Sequence, residues 1–299
     1  MLTRIIFICL LVAACSTRST AQLVTFGSGY FQDPYILNPA MSGQEAKTAR
    51  IGAGYLRQNS GVDNSPVSEN LTADYGFSDR VGAGLNISTD KAGLLTTTRI
   101  MGTYSYHIRW GVDNAQALHF GLSAGGEQRR LDFSDVNGNI ADPTLYNYND
   151  RHMQFQADAG AAYTDKHFDL QASFPNLVSF VRRNQPNEGY LAGSMTFYAS
   201  AGYTWFPSGD DDGVSVEPKV AYRGVASAPN VLDAGANVVL LQKVLNVFGM
   251  YHTSGNATLG AGVTIGRLFQ VTAMYTTQSS ALHAYSAGDF ELGVLFIIK

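Results

Sequence analysis

The feature that most restricts the fold of this chain is an alternation of apolar residues with small or polar ones, repeated many times after residue 46. The clearest examples are residues 81–88, 104–109, 154–163 and 269–276. A period of two places successive side chains on opposite faces of a β-strand. The sequence therefore predicts many strands, each with one apolar face and one face of Gly, Ser, Asn, Thr, Gln or His.

About fourteen segments carry this pattern, and most approach the ~9–11 residues that a tilted strand needs to cross a bilayer. No segment beyond the N-terminal leader has the ~20 continuous apolar residues of a membrane helix. The predicted strands are residues 47–57, 66–76, 80–89, 96–109, 116–130, 153–164, 166–173, 191–206, 214–223, 230–241, 245–253, 257–265, 267–277 and 288–298.

The connections between these segments alternate in length. Residues 131–152 and 174–190 form long connections, whereas 164–166 and 266–267 are tight turns. Long loops at one rim and short turns at the other are typical of outer-membrane barrels, whose short turns face the periplasm. We therefore expect the two long connections to be exposed outside the cell, and residues 210–212 to face the periplasm.

The composition helps to separate a membrane barrel from a soluble β-sandwich or lipocalin-like barrel, whose strands also alternate. A soluble protein would place many Lys and Glu on its outward face, but only 15% of this chain is charged and 31 residues are Gly. Aromatic residues stand near segment ends, as in membrane-interface girdles: Tyr55, Tyr75, Phe77, Tyr203, Trp205, Phe206, Tyr251 and Tyr275. The sequence thus predicts an all-β, transmembrane outer-membrane β-barrel of about 14 antiparallel strands over residues 47–299.

The first 21 residues read as an export signal. Arg4 precedes a short apolar run, Ile5 to Ala14, which has the length of a signal-peptide core. Two processing sites remain open, namely cleavage after Ala21 and lipidation at Cys15 in a lipobox-like sequence. Both cysteines of the chain lie in this leader, so the remainder is expected to have no disulfide.

Residues 22–46 lie between the leader and the first predicted strand. Pro34 and Pro39 exclude a regular helix and a central strand, so this stretch is expected to be extended or turn-like. We predict a periplasmic segment or a plug that enters the lumen from the periplasmic side.

Three stretches together resemble one known family. Residues 32–43, QDPYILNPAMSG, resemble the N-terminal hallmark of the PorP/SprF family of Bacteroidetes outer-membrane proteins. Residues 89–93, TDKAG, are similar to a loop of that family, and residues 121–125, GLSAG, followed by 131–134, LDFS, are similar to a further region.

The resemblance implies a barrel over essentially the whole mature chain and a role in type IX secretion or gliding motility. Such a protein would sit in outer-membrane lipid, help to export or retain surface proteins such as adhesins, and contact periplasmic parts of the machinery. The resemblance implies no enzyme activity and no cofactor. A general diffusion porin or small-solute channel is the alternative function.

The hallmark stretch also supplies the candidate partner-binding residues. Tyr35, Leu37, Asn38 and Pro39 would offer turn-rigid side chains, which lose little entropy on binding, to a periplasmic partner or to cargo. The competing interpretation is that Tyr35, Ile36 and Leu37 fill the periplasmic mouth of the lumen.

Other chemical sites are weaker hypotheses. His107 and His119 could pair with Ser105 and Ser123 as in an outer-membrane lipase, but all four lie on the polar face, where a lumen needs hydrogen-bonding groups anyway. The run Asp210–Asp212 lacks the other ligands of a calcium loop. The pairs Arg129–Arg130 and Arg182–Arg183 could meet anionic lipopolysaccharide. No catalytic, metal or cofactor site is predicted, and the chain has no clustered Lys and Arg that would indicate nucleic-acid binding.

Overall fold

The computed structural model describes residues 26–60, 64–132, 153–181, 194–207, 209, 213–266, 268–277 and 287–299. It is a closed barrel of 14 antiparallel strands in sequential order. The all-β barrel predicted from the alternation is therefore confirmed. The strands are β1 Ala49–Arg57, β2 Val67–Gly76, β3 Val81–Ala92, β4 Leu95–Trp110, β5 Gln116–Leu131, β6 Gln154–Thr164, β7 Phe168–Phe174, β8 Met195–Tyr203, β9 Ser215–Val225, β10 Val231–Leu240, β11 Leu245–His252, β12 Asn256–Ile265, β13 Phe269–Thr276 and β14 Asp289–Ile298.

The barrel closes through the first and last strands. β1 and β14 pair along their whole length, from Ala49 opposite Ile298 to Arg57 opposite Phe290. This pairing satisfies backbone groups that would otherwise form two open edges, which cannot face lipid.

The two faces of each strand separate by polarity as the sequence predicts. On β4, Tyr104 is 55% exposed, whereas its neighbours Ser105 and His107 are fully buried at 0%. On β5, Leu122 is 65% exposed beside the buried Ser123. The apolar face therefore points outward, toward the position of lipid, and the polar face lines the lumen.

The two ends of the barrel differ. One end, called here the short-turn end, carries the turns at 77–80 and 165–167, the end of β12, the start of β13 and the start of β1. The opposite end, called the long-connection end, carries the connections between β5 and β6 and between β7 and β8. Several sequence-based expectations fall outside the described residues: the leader with Ala21 and Cys15, most of both long connections, Arg182–Arg183, and Asp210–Asp212.

The helical elements are short. Helix α1 spans Ser28–Phe31 and helix α2 spans Leu177–Val181. Three 3-10 turns span Pro34–Ile36, Pro39–Met41 and Val112–Asn114. None of the helices described is both long enough and apolar enough to cross a membrane.

Helix α2 lies at the start of the connection between β7 and β8. It turns this part of residues 174–190 against β6, and Gln156 Nε2 donates to Ser179 Oγ (2.7 Å). Ser179 is buried, while Val181 is 75% exposed. The connection therefore begins by covering part of the lumen wall. The exposure of the connection outside the cell stays a prediction.

The fold predicts how the purified protein behaves. Because every strand takes part in one closed hydrogen-bonded ring, the protein extracted from outer membranes should show β-rich circular dichroism and migrate differently on gels before and after boiling. A predominantly helical spectrum, or recovery of the protein in the soluble periplasmic fraction, would contradict the barrel.

Candidate functional site in the barrel lumen

Residues 26–48, called here the lumen segment, run through the lumen, and their last few residues, with Glu45 and Lys47 exposed, leave it before β1. The segment enters from the short-turn end, immediately before β1, and its first residues lie in the opposite half of the lumen, where Gly27 N donates to Glu291 Oε2 of β14 (2.7 Å). Its polar contacts reach strands around the barrel: Arg50 of β1, Thr72 and Asp74 of β2, Thr103 to Arg109 of β4, Ala161 of β6, Ser173 of β7, Lys219 of β9, Asp233 of β10 and Glu291 of β14.

Glycines in the barrel wall make room for this segment. A Cβ atom on Gly121 of β5 would lie closer than 3.0 Å to backbone atoms of Pro39 and Ala40. A Cβ atom on Gly160 of β6 would come equally close to the Asn38 side chain. Real Cβ atoms do not approach other atoms so closely, so these two lumen positions accept no side chain while the segment stays in place.

A cluster of short polar contacts surrounds Asp233, which is fully buried on β10. Arg223 Nε donates to Asp233 Oδ2 (2.6 Å), and His252 Nδ1 lies 2.6 Å from Asp233 Oδ1. The lumen segment joins this group because Tyr30 Oη donates to Asp233 Oδ2 (2.5 Å). Burial raises the pKa of the Tyr30 phenol well above its ordinary value, so the hydroxyl keeps the proton that it donates.

A second basic residue holds the backbone beside Tyr30. Lys219 Nζ donates to the carbonyl oxygen of Tyr30 (2.7 Å) and lies 3.0 Å from Glu217 Oε1. Its ammonium group also stands 5.1 Å from the ring centroid of Phe31, within cation–π range. Since Lys219 is almost fully buried, these partners replace its lost hydration.

The candidate partner-binding residues occupy the middle of the lumen. Asn38 Oδ1 accepts from the backbone N–H of Ala40 (3.0 Å) and so caps the 3-10 turn that Pro39 begins. Tyr35 Oη shares a hydrogen bond with Thr103 Oγ1 (2.7 Å), and Ser173 Oγ donates to the carbonyl oxygen of Leu37 (2.6 Å).

All four candidate side chains are buried, so a partner could contact them only after the segment moves away from the wall. Their assignment as partner-binding residues stays a prediction. Tyr35 and Leu37 lie farther inside than the mouth at the short-turn end, because residues 42–44 occupy that position.

Two of the Ser and His side chains, Ser105 and His107 on β4, bind residues 42–43 of the segment. Ser105 Oγ donates to the carbonyl oxygen of Ser42 (2.7 Å), and His107 Nε2 donates to that of Gly43 (3.2 Å). His119 Nδ1 lies 2.8 Å from His107 Nδ1. One proton on each ring satisfies these contacts, so the geometry gives the histidines a structural use. Ser105 Oγ also lies 3.4 Å from His107 Nε2.

A cavity of about 230 Å³ lies between the segment and the long-connection end. Tyr35, Leu37 and Pro39 form part of its floor, and the halves of β2 to β5 nearer that end form much of its wall. Arg129 lines this cavity and pairs with Glu127 (2.7 Å), whereas Arg130 is exposed. Among the described residues, no three His, Cys, Asp or Glu side chains are arranged to hold a metal ion.

These features define a membrane-spanning barrel of the outer-membrane type, with a lumen occupied by the segment that precedes its first strand. Residues 19–296 match the family described as type IX secretion system membrane protein PorP/SprF, and the chain belongs to this family. The protein is therefore a type IX secretion membrane component of the outer membrane, as the three sequence stretches indicated. Two of those stretches meet in the lumen, where Gly121 lies against Pro39 and Ala40.

Solved structures of other outer-membrane proteins are similar to this chain at low sequence identity. The Acinetobacter baumannii outer membrane protein Omp33 is 8% identical, with 86% of this chain and 100% of that chain covered and a TM-score of 0.46. The KdgM porin is 6% identical, with 83% and 98% covered and a TM-score of 0.40. A triple mutant of Rhodopseudomonas blastica porin is 10% identical, with 84% and 98% covered and a TM-score of 0.35. No curated protein matches the chain.

The close contacts at Gly121 predict that one added methyl group destabilises the barrel more there than at a glycine with open space around it. Gly121→Ala should force the lumen segment away from β5 and destabilise the folded barrel by ~1–3 kcal/mol, because the clashing atoms are backbone. Thermal loss of the heat-modifiable form and protease cleavage within residues 26–48 measure the two effects. The matched control is Gly102→Ala on β4, where the nearest atom lies 3.8 Å from the added Cβ; equal effects of the two variants would contradict the fitted contact.

The Asp233 group predicts an ordered pair of effects. Asp233→Ala removes the buried carboxylate that pairs with Arg223 and should cost ~3–5 kcal/mol, as expected when one partner of a buried ion pair is removed. Tyr30→Phe removes one hydrogen bond to a charged group and should cost ~1.5–3 kcal/mol. Denaturation midpoints in detergent compare them. If Tyr30→Phe were the more damaging variant, Asp233 would not be the centre of this group.

Proposed function

We propose that this protein is a scaffold in the type IX secretion or gliding machinery, which helps to export or retain surface proteins such as adhesins. The observation that carries the proposal is the family match over residues 19–296, combined with a lumen that already contains residues 26–48. A segment bonded to strands around the barrel leaves little space for a polypeptide to pass. We therefore assign the transport path to other parts of the machinery and give this barrel an anchoring role without catalysis.

Two partner classes follow from this assignment. At the short-turn end, which faces the periplasm if the connection lengths set the orientation, periplasmic proteins of the machinery would bind. At the long-connection end, the surface protein would be held. Co-purification from detergent-solubilised outer membranes tests this pairing, with another abundant outer-membrane barrel as the control bait. Enrichment of neither a machinery protein nor a surface adhesin over that control would refute it.

The alternative function, a general diffusion porin or small-solute channel, makes a separate prediction. A scaffold with an occupied lumen should give little steady conductance in planar bilayers, and removal of residues 26–43 should raise it because those residues cross the lumen. A porin-sized conductance from the intact protein would favour the channel.

The role of the four candidate partner-binding residues can be tested directly. Replacing Tyr35, Leu37, Asn38 and Pro39 together with alanine should leave a heat-modifiable barrel in the outer membrane but lower the display of cargo at the cell surface. Quantitative labelling of the displayed adhesin on intact cells measures the effect.

Gly121→Ala is the matched variant, because it displaces the segment while keeping all four side chains. If these side chains themselves bind a partner, Gly121→Ala retains display and the fourfold variant loses it. Normal cargo display by the fourfold variant would indicate that these residues only help to fill the lumen. Loss of the barrel itself would assign the four residues to assembly.

A further inference from the structure

The cavity between the lumen segment and the long-connection end has the chemistry of a ligand site. We propose that it binds one ring of a neutral sugar. The proposal does not depend on the secretion role, and it rests on the polarity, charge and size of the cavity.

The wall of the cavity is rich in neutral hydrogen-bonding groups. Hydroxyl and amide side chains from β2, β3, β4 and β5 face the same space: Ser68, Asn70, Asn86, Ser88, Thr97, Thr103 and Ser123. Such groups both donate and accept, which is the requirement for binding several hydroxyl groups at once.

Two polar atoms at this wall have no hydrogen-bond partner among the described residues. Asn70 is 6% exposed and donates through Nδ2 to Asn86 Oδ1 (3.1 Å), but within the described chain its own Oδ1 accepts no hydrogen bond. Arg99 also lines the cavity, and its Nε has no acceptor among the described residues. Both atoms are shielded from the empty cavity, so a small rotation of the two side chains toward a bound hydroxyl group, which both donates and accepts, would supply the missing partners.

The charges disfavour an anion. Arg99 Nη2 is 2.5 Å from Asp158 Oδ1, and Arg129 Nη2 is 2.7 Å from Glu127 Oε1. Asp90 adds a further carboxyl group to the lining. Both guanidinium groups are thus already compensated, so an anionic ligand would meet carboxylates without a free cation and a neutral ligand is preferred.

The floor and the volume complete the match. The floor is apolar where Tyr35, Ile36, Leu37 and Pro39 of the segment meet Met101, which suits the C–H face of a sugar ring. The volume of about 230 Å³ lies just under the ~300–1,000 Å³ of drug-sized sites. One ring fits such a space, while the rest of a longer glycan would extend toward the long-connection end.

The test uses the full-length barrel in lauryldimethylamine oxide, a detergent without a sugar head group, and saturation-transfer NMR titrations. The probes are glucose, galactose and N-acetylglucosamine, with glucuronate as the anionic counterpart and a Ser-Gly-Asn peptide as a non-sugar probe. At least one neutral sugar should bind more tightly than glucuronate and the peptide. Tighter binding of the same sugar at the end of an oligosaccharide indicates a glycan as its source, and equal binding indicates the free sugar.

The variants locate the binding. Asn70→Ala should weaken the sugar about threefold or more, as expected for one lost hydrogen bond, and Ser88→Phe, which fills the cavity, should abolish binding. The matched control is Asn246→Ala, which changes a similar lumen Asn pair, Asn246 with Asn237, outside this cavity. If Asn70→Ala loses the heat-modifiable form, the barrel itself is disrupted, and sugar binding by Ser88→Phe alone then tests the location of the site. Absence of sugar binding, equal losses in Asn246→Ala, or tighter binding of the peptide or glucuronate would overturn the proposal and leave water as the occupant.

Discussion

The structure depends on the need to pair every backbone N–H and C=O group that lies within the bilayer. No water is available there, so the strands must form a closed ring, and the pairing of β1 with β14 completes it. Closure fixes the direction of every side chain: apolar residues such as Leu122 point outward, while His107 and Asp233 must point into the lumen. The polar lumen is thus a consequence of closure, and its groups in turn need partners.

The N-terminal segment supplies many of those partners. Its backbone accepts from Ser105 and Lys219, and its Tyr30 hydroxyl donates to Asp233. The barrel wall has glycines where the segment approaches it most closely, as at Gly121. Charge compensation and complementary shape therefore both hold the segment in place. The segment fills the interior of the barrel as a core fills the interior of a soluble domain.

Most of the fold could be predicted from the sequence, because strand periodicity is local. The predicted and observed ends of the strands differ by at most three residues, except that β8 begins four residues later, at Met195, where its pairing with β9 is irregular. The contacts of the lumen could not be predicted in this way. The alternation indicates that Asp233 faces inward, but its bond to Tyr30 joins residues 203 positions apart. Helix α2 was also missed, because five residues without clear caps give little signal.

The entry of the segment from the short-turn end has a consequence for the order of folding. Gly27 contacts Glu291, 264 positions later, on the strand that closes the ring. Contacts of such separation form slowly, since the intervening chain must first be organised. The N-terminus, synthesised first, thus acquires its final surroundings last, and the interior contacts and the seam between β1 and β14 become a single late event in biogenesis.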